Sequence, residues 1–238
     1  MKIIAPDYYK DFHCIADKCR HTCCEGWEVD IDEESLERFR ACEDIAAHID
    51  EEGTAHFGLL DGERCPFLNE NNLCNMILRH GEDMLCQICT DHPRFRSYWT
   101  DRTEMGLGLV CEEAGRLILS RSEPMKLEVI SDDGESEKLS EDELWLLELR
   151  DKLLDGISEE GPRARLIEYL VYRHLPDALY DNRVEERIAF VERSFREITA
   201  AWEATDGSLD ALIECARVWS YDVEYDDEVL EQKLNETD

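Results

Sequence analysis

A chain of 238 residues is long enough to bury a core without covalent crosslinks, and its eleven cysteines, an odd count, argue against a fully paired disulfide scaffold. The 58 acidic residues outnumber the 26 lysines and arginines and leave a formal net charge of -32. That field repels phosphate backbones, so no nucleic acid is expected as a partner and a cationic one is favoured. The opening MKIIAPDYYKDF holds only a short apolar trio before Pro6, and no apolar run approaches the roughly 18 residues that span a bilayer. A cytoplasmic chain with no transmembrane segment is expected.

Taken in chain order, residues 33 to 49 read as helical, and Asn75 to His80 read as a short helix ended by Gly81. TEMGLGLV, residues 103 to 110, is the best strand candidate, and Glu112 to Leu119 form another short helix. The polar, acidic stretch SDDGESEKLSEDE, residues 131 to 143, has the composition of a linker or long exposed loop. Beyond it, Ser140 and Glu143 form a capping-box signature before Leu144, Leu147, Leu153 and Leu154, which predicts a helix from about 141 to 155. Pro162 suits the first turn of the next helix, with an apolar face of Leu166, Ile167, Leu170 and Val171 and a stop at Pro176. Val184, Ile188, Val191, Phe195, Ile198 and Trp202 alternate steps of four and three, the cleanest amphipathic stripe in the chain. Leu209, Leu212, Ile213, Ala216 and Trp219 make a fourth helical face.

The fold class expected is mainly α: an irregular cysteine-rich metal-binding N-terminal unit with short strands, followed by a C-terminal helical array. The divisions expected are a metal domain over 1–125, an acidic linker or loop over 126–143, and a helical domain over 144–238.

Ten of the eleven cysteines lie in the first 111 residues, so the chemistry is concentrated at the front. Cys19 and Cys23 stand four apart and Cys86 and Cys89 three apart, spacings that put two thiolates on one helical face or across one tight turn. Cys65 and Cys74 frame CPFLNENNLC, whose Asn-rich middle invites a turn that joins its ends. On a helix the neighbours Cys23 and Cys24 would diverge by about 100 degrees, so one centre would use both only from extended backbone. Zinc wants four ligands at a tetrahedral site and an iron–sulfur cluster up to four thiolates, and spacing permits either. His13, His21 and His92 lie among the cysteines as candidate ligands or hydrogen-bond partners of sulfur, with a surface or outer role favoured for each. Cys42 and Cys215 read as small buried apolar residues.

The blocks CIADKCRHTCCEGWEVDID, CPFLNENNLCNMILRHGEDMLCQICTDHPR and LVCEEAGRLIL, in this order, resemble the flagellin lysine-N-methylases and the wider cysteine-rich family described as zinc- or iron-chelating. The resemblance spans about residues 8 to 120. It implies a protein-lysine N-methyltransferase that uses S-adenosylmethionine, carries a four-iron, four-sulfur cluster and acts on a lysine-rich protein such as flagellin. It also implies the metal ligands: Cys14, Cys19, Cys23 and Cys24 match the first block, Cys65, Cys74 and Cys89 the second, and Cys111 the last. Family members carry a small residue where this chain has Cys86, which makes Cys86 an extra thiol rather than an implied ligand. Typical methylases of the family are considerably longer. EMGLG, residues 104 to 108, bears a faint likeness to a nucleotide loop, but without a strand-to-helix context upstream it reads as a strand with permissive glycines. Methyl transfer to lysine requires the neutral amine, hence a base or a desolvating site, and the composition singles out neither. A non-catalytic zinc- or iron-binding protein with a helical partner-binding region is the alternative.

Overall fold

A computed structural model of the chain describes residues 1–135 and 137–236. The elements run β1 (Lys2–Pro6), α1 (Glu33–Arg40), α2 (Glu43–Ala46), β2 (Ile49–Asp50), β3 (His56–Phe57), α3 (Asn75–His80), α4 (Gln87–Asp91), β4 (Arg94–Tyr98), β5 (Arg102–Leu107), α5 (Glu112–Leu119), β6 (Leu127–Asp132), α6 (Glu141–Asp155), α7 (Gly161–His174), α8 (Ala178–Asp181), α9 (Val184–Glu203), α10 (Leu209–Glu224) and α11 (Asp227–Leu234). Helix is the main regular structure, as the periodicity requires. Two compact units emerge, one of residues 1–13 with 93–238 and one of residues 14–92. The cysteine-rich unit is thus inserted in sequence after β1, and the first thirteen residues belong with the helices. The 126–143 segment, expected as linker, supplies β6 and the cap of α6.

In the helical unit a four-stranded sheet has the order β4-β5-β1-β6. β1 runs parallel to β5 and antiparallel to β6, while β4 and β5 form a hairpin with Phe95 opposite Gly106. The glycines of EMGLG therefore lie in and just after a strand, and packing explains them. A Cβ on Gly106 would stand 2.1 Å from Cζ of Phe95, so the aromatic ring fills the space a side chain would need. At Gly108 it would meet the Tyr225 hydroxyl at 3.0 Å.

The helical core gathers Leu107, Leu109 and Ile118 with Leu166, Leu170, Phe190, Ile198, Leu212 and Ala216, each almost wholly buried. These are the stripes of α7, α9 and α10 read from the sequence. The capping box at α6 forms as expected, with Ser140 accepting from the Glu143 amide and Glu143 accepting from the Ser140 amide. Glu143 also accepts from the Thr100 amide at 2.6 Å, tying the β4–β5 turn to the start of α6.

Two buried polar sets cross this core. Arg150 of α6 makes a two-pronged contact with Glu104 of β5, at 2.5 and 3.0 Å, with both side chains under 5% exposed. Glu224 of α10 has its carboxylate 2.8 Å from Nε2 of His174 and 2.9 Å from the Tyr169 hydroxyl, which in turn accepts the Leu109 amide at 3.2 Å. Ser220 also donates to Glu224, and Arg173 stands 4.0 Å away. Burial raises the Glu224 pKa, but the His174 contact and the charges of His174 and Arg173 more than offset it and hold the carboxyl below its usual range.

The inserted unit has its own small core of Val29, Ile31, Phe39, Ile45, Phe57, Phe67 and Met76, joined by Cys65 and Cys86. Phe57 stacks on Phe39 at 5.6 Å between centroids and meets Phe67 edge-on at 5.1 Å. Its helices are short, and the predicted 33–49 helix breaks at Ala41 and Cys42 into α1 and α2. Among the described residues no helix is long and apolar enough to cross a membrane.

Candidate metal centre

Loops rather than long elements position the thiols of the inserted unit. The Cys65 amide donates to the Cys24 carbonyl at 2.8 Å, and Glu25 bridges to Arg64 as an isolated antiparallel pair, reinforced by a 2.6 Å ion pair between their side chains. This pairing lays the Cys23–Cys24 segment alongside Cys65. The backbone there is turn and bridge rather than helix, with Cys23 exposed and Cys24 half-buried. The Cys24 sulfur is in hydrogen-bonding contact with the thiols of Cys23 and Cys65.

The Asn-rich loop closes as its composition predicts. Asn69 accepts the amides of Asn71 and Leu73 through its side-chain oxygen at 2.8 and 3.1 Å, and Leu68 bridges to Cys74. Cys74 then sits at the N-cap of α3, within electrostatic range of Cys24 and Cys86.

Cys86 occupies the N-cap of α4 and Cys89 lies within that helix, their sulfurs in hydrogen-bonding contact. Cys89 is also felt electrostatically by Cys24 and Cys65. A clamp holds this segment. Asp32 caps α1 through one oxygen, on the Ser35 amide at 2.9 Å, and through the other accepts the Gln87 amide at 2.8 Å. Arg38 donates to the carbonyls of Asp83 and Leu85 at 2.8 and 3.4 Å.

The electrostatics of the set are those of shared protons. Hydrogen bonds from Cys23 and Cys65 pull the Cys24 thiol down to about 3 against the opposing effect of burial. Cys65 is pushed up by its contact with Cys24 and by burial, and Cys89 by its contact with Cys86 and by burial. Cys86 is lowered by the same contact, and burial raises Cys74. In each pair the contact lowers one thiol and raises the other.

Cys14 is exposed and accepts the Ala16 amide at 3.4 Å, and Cys19 is half-buried. Cys111 belongs to the helical unit, at the N-cap of α5. Of the histidines, His13 lies exposed against the Asp11 carbonyl, while His92 packs its ring 6.3 Å from that of Trp27 and lends positive potential to Cys24. Cys42 and Cys215 pack at the edges of the two cores.

None of the eleven cysteines forms a disulfide. Among the described residues no three Cys, His, Asp or Glu side chains converge closely enough to hold an ion as placed. The donor chemistry nonetheless fits a thiophilic metal: Cys23, Cys24, Cys65, Cys74, Cys86 and Cys89 are interacting sulfurs in one small unit, drawn from segments up to 66 positions apart. Sequence spacing flagged Cys86 and Cys89 as a pair. The Cys24–Cys65 contact and the Asp32 clamp it missed, because both arise from tertiary pairing with no local signature beyond Asp32 preceding Ser35 by three.

A small mixed sheet packed with helices, and an inserted unit with a clustered set of thiols, define the class: a helical protein with a thiol-rich module. Comparison with known proteins then shows what the chain is similar to. Curated relatives include the lysine-N-methylases of Salmonella choleraesuis and Salmonella typhimurium, each 26% identical over 137 residues that cover 52% of this chain and 34% of theirs. The flagellar biosynthetic protein FliU of Salmonella muenchen is 23% identical over 137 residues, covering 81% of its length. The likeness to the flagellin lysine-N-methylase family, first read from the cysteine blocks, is supported by these relatives. The chain spans about a third of the length of the lysine-N-methylases it matches. No family model and no solved structure matches.

Proposed function

We propose that the chain is a protein-lysine methylase-like protein whose inserted unit binds iron–sulfur or zinc through its clustered thiols. The observation that carries the proposal is the likeness to proteins named lysine-N-methylase in a chain whose thiols meet in one unit. In the full activity the methyl carbon of S-adenosylmethionine bonds to the lysine nitrogen as the carbon–sulfur bond breaks, and the lysine proton leaves to a base. The bound metal would supply a redox or Lewis-acid centre, or a staple for the small core. Cys23, Cys24, Cys65, Cys74 and Cys89 would hold it as thiolates. The acidic surface would attract a lysine-rich protein such as flagellin.

The coverage of the relatives favours a second reading: a non-catalytic metal-binding protein whose helical unit binds a partner. The discriminating experiment incubates full-length, anaerobically purified protein with methyl-labelled S-adenosylmethionine and flagellin. Label on flagellin lysines supports the methylase. No transfer, with no binding of S-adenosylmethionine at millimolar concentration, leaves the second reading in place.

A further inference from the structure

Resting on the part of the proposal above that gives the chain a cationic protein partner, we propose that the outer face of α6 is the docking surface for a lysine- or arginine-bearing segment of that partner. Burial on this helix runs against the usual rule. Glu143 and Arg150 point inward, 7% and 4% exposed, whereas Leu144 and Trp145 stand 50% and 54% exposed. The inward charges are satisfied, since Glu143 accepts the Ser140 and Thr100 amides and Arg150 pairs with Glu104. The outward pair, large, apolar and adjacent, forms a face that the chain leaves uncovered. Through Thr100 the β4–β5 turn meets the start of this helix, and it brings exposed Tyr98, whose carbonyl accepts the Tyr180 hydroxyl at 2.8 Å.

Charge selects the occupant. One helical turn from Trp145 lie Glu141, Asp142 and Glu148, all exposed, and Glu141 and Glu148 border Leu144 as well. Among the described residues of α6, Lys152 is the one exposed cation. The face of a tryptophan ring attracts cations, and the helical unit uses this elsewhere: Arg150 lies 5.4 Å from the centre of the Trp99 ring and Arg163 lies 5.2 Å from that of Trp202. Among the described residues no guanidinium lies over Trp145 in this way. A partner's lysine or arginine would take that place, its charge between the carboxylates and its methylene stem along Leu144. A second copy of this chain is the poorer occupant, because it would bring like carboxylates together and join two chains of net charge -32.

The test is the fluorescence anisotropy of labelled octalysine titrated with the full-length chain at about 0.01 M ionic strength, where charge acts over about 30 Å. Trp145→Ala should weaken binding about two- to fivefold, and Trp145→Phe should recover part of that loss. Glu141→Gln with Glu148→Gln should weaken it about fivefold or more. Glu185→Gln with Glu186→Gln removes the same charge from exposed positions at the start of α9 and should change binding by less than about twofold. Equal weakening by the two double variants, with no effect of Trp145→Ala, would assign binding to the diffuse acidic field; it would overturn this inference and leave the cationic-partner reading in place. Octalysine that fails to bind the wild type would overturn both. A wild type that sediments as a dimer, while Trp145→Ala sediments as a monomer, would show that a second copy covers the face and would overturn the inference as well.

Discussion

Gly106 shows how a residue that looks functional in sequence can be structural. Its position opposite Phe95 leaves the ring resting on bare backbone, and a Cβ would collide with it. Gly106→Ala should therefore destabilise the protein by about 1–3 kcal/mol in urea unfolding, as overpacking does. Combining it with Phe95→Leu should cost less than the sum of the two single changes, because the second removes what the first strikes. Additivity of the two changes would contradict the packing account.

Glu224 makes a pH prediction at the same scale. Its folded pKa is depressed below the unfolded value of about 4.3, so its contribution is present above that value and is lost as pH falls through the folded one. Stability of the helical unit should decline as pH drops below about 4.3, and more shallowly in Glu224→Gln. That variant should itself be less stable at pH 7, because Arg173 would face no buried carboxylate. Equal acid slopes for the two proteins, measured by denaturant titration at stepped pH, would rule the network out as the source.

Among the elements, those with local signals were legible and those made by pairing were not. α6 began where its capping box lay, and α9 followed its stripe of apolar residues. β5 was visible as a strand, yet nothing in KIIAP announces that β1 pairs in parallel with it across ninety-five intervening positions. Short α1 and α4 owe their placement to one carboxylate: Asp32 serves as the N-cap of the first and anchors the Gln87 amide at the start of the second. Asp32→Ala should cost the inserted unit about 1–2 kcal/mol. In hydrogen exchange the Ser35 and Gln87 amides should lose protection together. Loss at Ser35 alone would show that α4 is held by other means.

For the whole molecule, composition located the thiol chemistry in the front half but not the boundaries of the unit that carries it. Chain order suggests a front domain and a back domain, whereas the first thirteen residues complete the sheet of the helical unit and residues 14–92 fold around a separate core. Within that core the candidate ligands split. Cys65 with Cys74 and Cys86 with Cys89 were legible as spaced pairs, whereas the contact of Cys24 with Cys65 depends on an antiparallel bridge between distant loops. The net charge of -32 acts at this scale as well. Association with a lysine-rich protein should slow several-fold as ionic strength rises from about 0.01 to 0.15 M, where the Debye length shrinks from about 30 to 8 Å. Stopped-flow rates that do not change with salt would remove charge steering.

The central claim is that sulfurs of the inserted unit bind metal. It is tested most directly by the metal-to-protein ratio of the anaerobically purified full-length chain, with the element identified from its X-ray absorption edge. The account predicts at least one zinc, or about four irons, per chain, retained through gel filtration and released when thiols are alkylated under denaturing conditions. A chain purified with no iron and no zinc, or with its cysteines joined as disulfides, would contradict it.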